Sequence, residues 1–174
     1  MLLQIIAHTP KWVFALFALL LWLGCKQLVS RRVSLARITV LPIAMAAVSC
    51  YGVISAFGDT PGALIAWAVA AIALVAIVMQ NALPASTRFD AATRSFHVAG
   101  SAVPLLLMMG IFFTKYVVGV QIAMQPGLAH HVNFALTIGA LYGAFSGIFA
   151  ARAARLWRLA LQQDRAVNDV AATV

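Results

Sequence analysis

At 174 residues, 64% of them hydrophobic and only 9% charged, the chain lies far outside the composition of water-soluble domains, and its mean hydropathy of +0.98 agrees. Its 12 Lys and Arg outnumber 4 Asp and Glu, for a formal charge of +8. The bases are spread over several short segments beside apolar runs, which excludes a nucleic-acid-binding stripe and points to anionic lipid headgroups as partners.

Five apolar windows reach the roughly 20 residues that a helix needs to cross about 30 Å of hydrocarbon. They are Pro10 to Leu28, Ile38 to Phe57, Pro61 to Leu83, Val103 to Met124 and Val132 to Ala151. Barrel strands would alternate apolar and polar residues, and these runs do not. The expected fold is therefore all-α: an integral membrane bundle of five transmembrane helices forming one domain over residues 1–151, followed by a basic cytoplasmic tail over 152–174.

The first window opens at Thr9-Pro10, a capping hydroxyl before a proline at the first helical position. No base precedes Lys11 and no small-x-small site follows, so this segment reads as an uncleaved anchor. The run Leu20 to Cys25 has a lipoprotein-box outline, but bulky Trp22 and Leu23 precede the glycine and bases follow the cysteine, which opposes lipidation. In the second window Pro42 falls within the first turn, and Ala47, Ser49, Gly52 and Ser55 offer a small-residue surface. Cys25 and Cys50 fall at different depths and read as buried free thiols. Thr60-Pro61 starts the third window and Pro84 stops it. The third connection alternates through Thr87 to Asp90 and Thr93 to Val98 about Ala91-Ala92, which predicts a short amphipathic hairpin. In the fifth window Gly139, Gly143 and Gly147 recur every four residues, a stripe for close helix packing, with the second window as the expected matching surface. Intramolecular packing is the reading preferred over a homo-oligomer. Beyond it Arg152, Arg155 and Arg158 line one helical face beside Trp157, as in a segment lying at the interface, and Gln162 to Val174 read as a frayed end.

Ten of the Lys and Arg residues fall in the first connection (Lys26, Arg31, Arg32, Arg37), the third (Arg88, Arg94) and the tail (Arg152, Arg155, Arg158, Arg165). The second and fourth connections have none. The positive-inside rule then places the N-terminus outside and the C-terminus inside. Arg31, Arg32, Arg37, Arg152, Arg155 and Arg158 are the expected headgroup contacts.

Lys115 stands at the middle of the fourth window, where a charged lysine costs about 2.5 to 3.5 kcal/mol on insertion scales. No window contains an acid. Snorkelling outward runs against the Cα–Cβ direction of that helix, so Lys115, with Tyr116 beside it, is a functional candidate set against the plainer reading of a neutralised or snorkelled lysine. His8, His130 and His131 share the outer face and are the only candidates for a metal, but the adjacent pair points apart and no fixed spacing ties it to His8, so no metal or other cofactor is expected.

The opening His8-Thr9-Pro10-Lys11-Trp12-Val13, the block from Gly100 to Leu105 continuing through Gly110 to Tyr116, and Leu141 to Gly147 resemble a family of small, uncharacterised bacterial inner-membrane proteins, with a fainter similarity to CcdC-like membrane proteins. The resemblance spans nearly the whole chain and implies a multi-pass location in the bacterial inner membrane. It brings no activity with it. Two classes of function follow. The first is a non-enzymatic bundle that binds lipid, a small anion or another membrane protein. The second is a small transporter or proton-linked channel using Lys115, lined by Ser49, Ser55, Thr114, Tyr116, Gln121, Tyr142 and Ser146. Unbroken helices without an intramembrane acid favour the first, and no paired acid and base supports an enzyme.

Overall fold

The computed structural model describes residues 10–81, 87–90, 93, 95–98 and 100–172. In chain order these form helix α1 (Lys11–Cys25), strand β1 (Arg31–Ser34), helices α2 (Leu35–Phe57) and α3 (Pro61–Met79), strands β2 (Arg88–Asp90) and β3 (Ser95–Val98), helix α4 (Val103–Met124), a 3-10 turn (Pro126–His130) and helix α5 (Val132–Ala172). Among the described residues, α2, α3, α4 and α5 are long and apolar enough to cross a membrane. Helix α1 has 15 residues and rises about 22 Å. It stops short of Leu28 because tight turns close it, with Lys26 N donating to Trp22 O, Gln27 N to Gly24 O and Leu28 N to Cys25 O. The Lys26 ammonium folds back to lie 3.7 Å above the Trp22 ring. The proposed Thr9 cap and the Pro84 stop lie outside the described residues.

The chain divides into two compact units. In the first, Met1–Ser30 with Gly100–Ala129, α1 and α4 run antiparallel. Gly24 lies against Leu105, and about two turns away the Phe17 ring sits 5.3 Å from Phe112 and 6.0 Å from Phe113. The same hairpin is closed at its base, where Ser101 N donates to Gln27 O at 3.0 Å and Gly100 packs on the Leu28 carbonyl so closely that a Cβ would not fit.

The second unit, Arg31–Ala99 with His130–Val174, is built around α5. Helix α3 runs parallel to it along the glycine stripe. A Cβ on Gly139, Gly143 or Gly147 would strike the carbonyl oxygens of Ala63, Trp67 and Ala71 respectively, so hydrogen at these positions is what lets the backbones meet. This differs from the expected pairing with the second window. Helix α2 instead packs antiparallel on another side of α5, with Phe57 against Phe134 at 5.9 Å and Trp157 Nε1 donating to Thr39 Oγ1 at 2.9 Å. The three helices are joined at one polar point. Trp67 Nε1 donates to Ser49 Oγ at 3.1 Å, Ser49 Oγ to Tyr142 O at 3.3 Å, and Ser146 Oγ to the same carbonyl at 3.0 Å. Pro42 is also deeper than expected. Because Ser34 caps α2, accepting from Arg37 N at 3.4 Å, the helix starts at Leu35 and Pro42 falls in its third turn, where it withholds one backbone hydrogen bond.

The expected hairpin is present, and a further strand extends it into a small antiparallel sheet, ordered β1-β3-β2, beside the helices. The hairpin β2–β3 pairs Arg88 with His97, Phe89 with Phe96 and Asp90 with Ser95. Strand β1, read in the sequence as a basic connection, pairs along the other edge of β3, Arg32 opposite His97 and Val33 opposite Phe96. A two-stranded hairpin is marginal alone, and the third strand together with helix packing completes it. Val33, Phe96 and Phe89 share the inward face. Phe96 is 0% exposed, with Ile38 of α2 and Leu156, Trp157 and Ala160 of α5 around it. That docking gives α5 a reason to continue past the apolar stretch: it is one unbroken helix of 41 residues, about 62 Å, and the expected frayed end from Gln162 is helical to Ala172.

Candidate functional site at the basic end

The α2–α3–α5 unit is polarised along its length. At the sheet end, Arg32 and Arg37 are exposed on β1 and α2, and Arg152, Arg155 and Arg158 follow on α5, Arg158 exposed and the other two half-buried. Arg155 Nη1 donates to Asn81 O at 3.2 Å, just past the C-terminus of α3, where a cation meets carbonyls left without helical donors. Arg31 stands opposite Val98 in the sheet. At the other end of the same unit lie Asp59 and His130, with Nδ1 3.7 Å from Oδ2 and both side chains exposed.

One residue that the sequence assigned only to a hairpin, His97, belongs with these bases. His97 and Arg32 are cross-strand neighbours, both exposed, and Arg88 is in backbone register with His97 from the other side. Alternation within the hairpin is enough to set Arg88 against His97. Only the fold reveals Arg32, because β1 is separated from β3 by two helices.

The remaining candidates are placed as follows. Lys115 is exposed on α4, between exposed Phe113 and Val117. Tyr116 stacks on Phe112, rings 6.4 Å apart and 7° from parallel. Of the groups considered as a polar lining, Thr114 donates to Gly110 O at 2.7 Å, Ser55 to Gly52 O at 3.2 Å, and Ser49 and Ser146 to Tyr142 O, so their hydroxyls are spent on helix carbonyls. His8 lies outside the described residues, His130 is beside Asp59, and among the described residues no three His, Cys, Asp or Glu side chains gather as a metal set.

These features define a helical protein with apolar helices of membrane-crossing length and one strongly basic end. The chain belongs to DUF6622, a family of unknown function whose model matches residues 1–169. Comparison with the curated proteins and with the solved structures finds no match.

Proposed function

We propose that the chain is a non-enzymatic, five-span protein of a bacterial inner membrane, with its N-terminus outside and its C-terminus in the cytoplasm, and that it acts by binding anionic lipid headgroups at its basic end. The carrying observation is the one-ended charge of the α2–α3–α5 unit: Arg32, Arg37, Arg152, Arg155 and Arg158 at the sheet, Asp59 and His130 at the far end. Bases near an anionic leaflet contribute about 1 kcal/mol each, and the same asymmetry favours keeping that end in the cytoplasm. The transport reading of Lys115 is weakened by the hydroxyls bonded to carbonyls and by the lysine's exposed, apolar surroundings.

Reporter fusions after Gly58 and after Gln163 should report opposite compartments, outside and inside; two fusions on the same side would sink the orientation. An N-terminal epitope accessible from outside makes α1 a full span, and a protected one reduces the count to four. For binding, the purified chain should melt at a higher temperature in nanodiscs containing phosphatidic acid than in phosphatidylcholine alone, with the gain shrinking as salt rises. Equal melting in both would end the headgroup reading.

A further inference from the structure

The inward face of the sheet accounts for its folding, through Val33, Phe89 and Phe96 against α2 and α5. Its exposed pair, Arg32 and His97, adds nothing to that core. Cross-strand neighbours stand about 4.5 to 5.5 Å apart at Cβ, close enough for both side chains to meet one ligand. Of the eleven residues in the three strands the one acid is Asp90, and it accepts from the hydroxyl of Thr93 at 2.7 Å and from its amide at 3.4 Å. Arg32 and His97 are thus an exposed pair on the sheet face that the core does not use.

The height of the sheet indicates which anion. If Val132 to Ala151 cross the hydrocarbon, the sheet's contacts on α5, from Ala153 to Ala160, lie about 3 to 14 Å beyond its edge. Headgroups occupy about the first 5 to 7 Å of that interval. The sheet therefore stands at the outer edge of the headgroup layer, from which a long side chain such as that of Arg32 can extend back to lipid phosphates. A guanidinium offers a planar fork of donors, and an imidazole one further N–H at the spacing of adjacent strands, which suits the oxygens of one phosphate group better than it suits a dispersed charge.

We propose that the outward face of the three-stranded sheet is a phosphate-recognition site, in which Arg32 and His97 hold the phosphate group of a lipid headgroup. The site rests on the orientation and headgroup reading above and sharpens it, assigning to one row of the sheet what would otherwise be spread over all the inner bases.

The test uses the full chain in detergent micelles, with bound lipid counted by native mass spectrometry during titration with short-chain phosphatidic acid. The double variant R32Q/H97Q should bind it about tenfold more weakly, the equivalent of about 1.4 kcal/mol of lost contact. R165Q, which removes one exposed base from α5 outside the set that carries the headgroup reading, should stay within about twofold of the parent. R32K/H97Q, which keeps the charge at position 32 but not its fork, should fall between. Unchanged melting of R32Q/H97Q in phosphatidylcholine confirms that folding is intact, as expected for exposed positions. Inorganic phosphate that displaces the lipid identifies the phosphate group itself as the ligand from either source, and failure to displace it assigns the site to the lipid. If the parent binds phosphatidic acid and R32Q/H97Q binds it equally well, or R165Q weakens binding as much, the sheet site is overturned while the headgroup reading survives. If the parent does not bind it at all, both fall.

Discussion

At Gly143 the absence of a single methyl group decides how near α5 comes to α3, since a Cβ there would collide with the Trp67 carbonyl, a backbone atom that cannot swing aside. Gly143→Leu should therefore lower stability by about 1 to 3 kcal/mol, the usual range for overpacking, and lower the melting temperature in micelles, whereas Gly127→Ala, with open space around it, should change little. Equal melting of the two variants would show that the seam is not close-packed. The four-residue spacing of the glycines was legible in the sequence, but their partner was not. Small residues occur in both α2 and α3, and the informative signal, Ala63 and Ala71 at the same spacing about Trp67, is one of several such patterns. Lys115 was legible as costly, yet its surroundings were not. Lys115→Met exchanges an ammonium that is costly in hydrocarbon for an apolar chain of similar length, so melting should be unchanged or slightly improved. A large loss of stability, measured by thermal unfolding in micelles, would overturn this.

Among the elements, the sheet shows where sequence patterns stop. The hairpin could be read because its alternation is local, with Phe89 and Phe96 on one side and polar residues on the other. Strand β1 could not, because Arg31-Arg32-Val33-Ser34 has no strand character of its own and is extended by pairing with residues more than sixty positions away. The same contacts explain α5: its Ala, Leu, Arg and Gln residues favour helix beyond the apolar stretch, and the sheet core covers its Leu156 and Ala160. Phe96→Ala removes the residue at the centre of that core and should cost about 3 to 5 kcal/mol locally. Because the glycine seam and the Trp67–Ser49–Tyr142 junction lie away from Phe96, the expected result is rapid amide exchange and proteolysis in β1 and β3 with the long helices still protected. Loss of protection throughout α2 and α5 would mean that the sheet and helices unfold together.

For the molecule as a whole, composition was sufficient to specify apolar helices in number, and the arginine distribution anticipated the polarity of the α2–α3–α5 unit. Within that unit the helix directions agree: α3 and α5 are parallel, α2 antiparallel, and every base of α2 and of α5 falls at the same end. What the charge count could not convey is that this end is built, with a sheet held to α5 by Trp157 and Phe96 rather than left as loose connections. The predicted orientation and the headgroup site are thus linked. Inverting the fusions' compartments would remove the sheet from the leaflet on which its proposed ligand depends.

The glycine seam joins two helices far apart in translation. Helix α3 leaves the ribosome well before α5, so its Ala63 and Ala71 backbone has to wait for its partner, and β1 must likewise wait for β3. A nascent chain interrupted before Val132 would lack this seam together with the contacts that α2 and the sheet make on α5, leaving the flank of α3 open until the partner helix arrives.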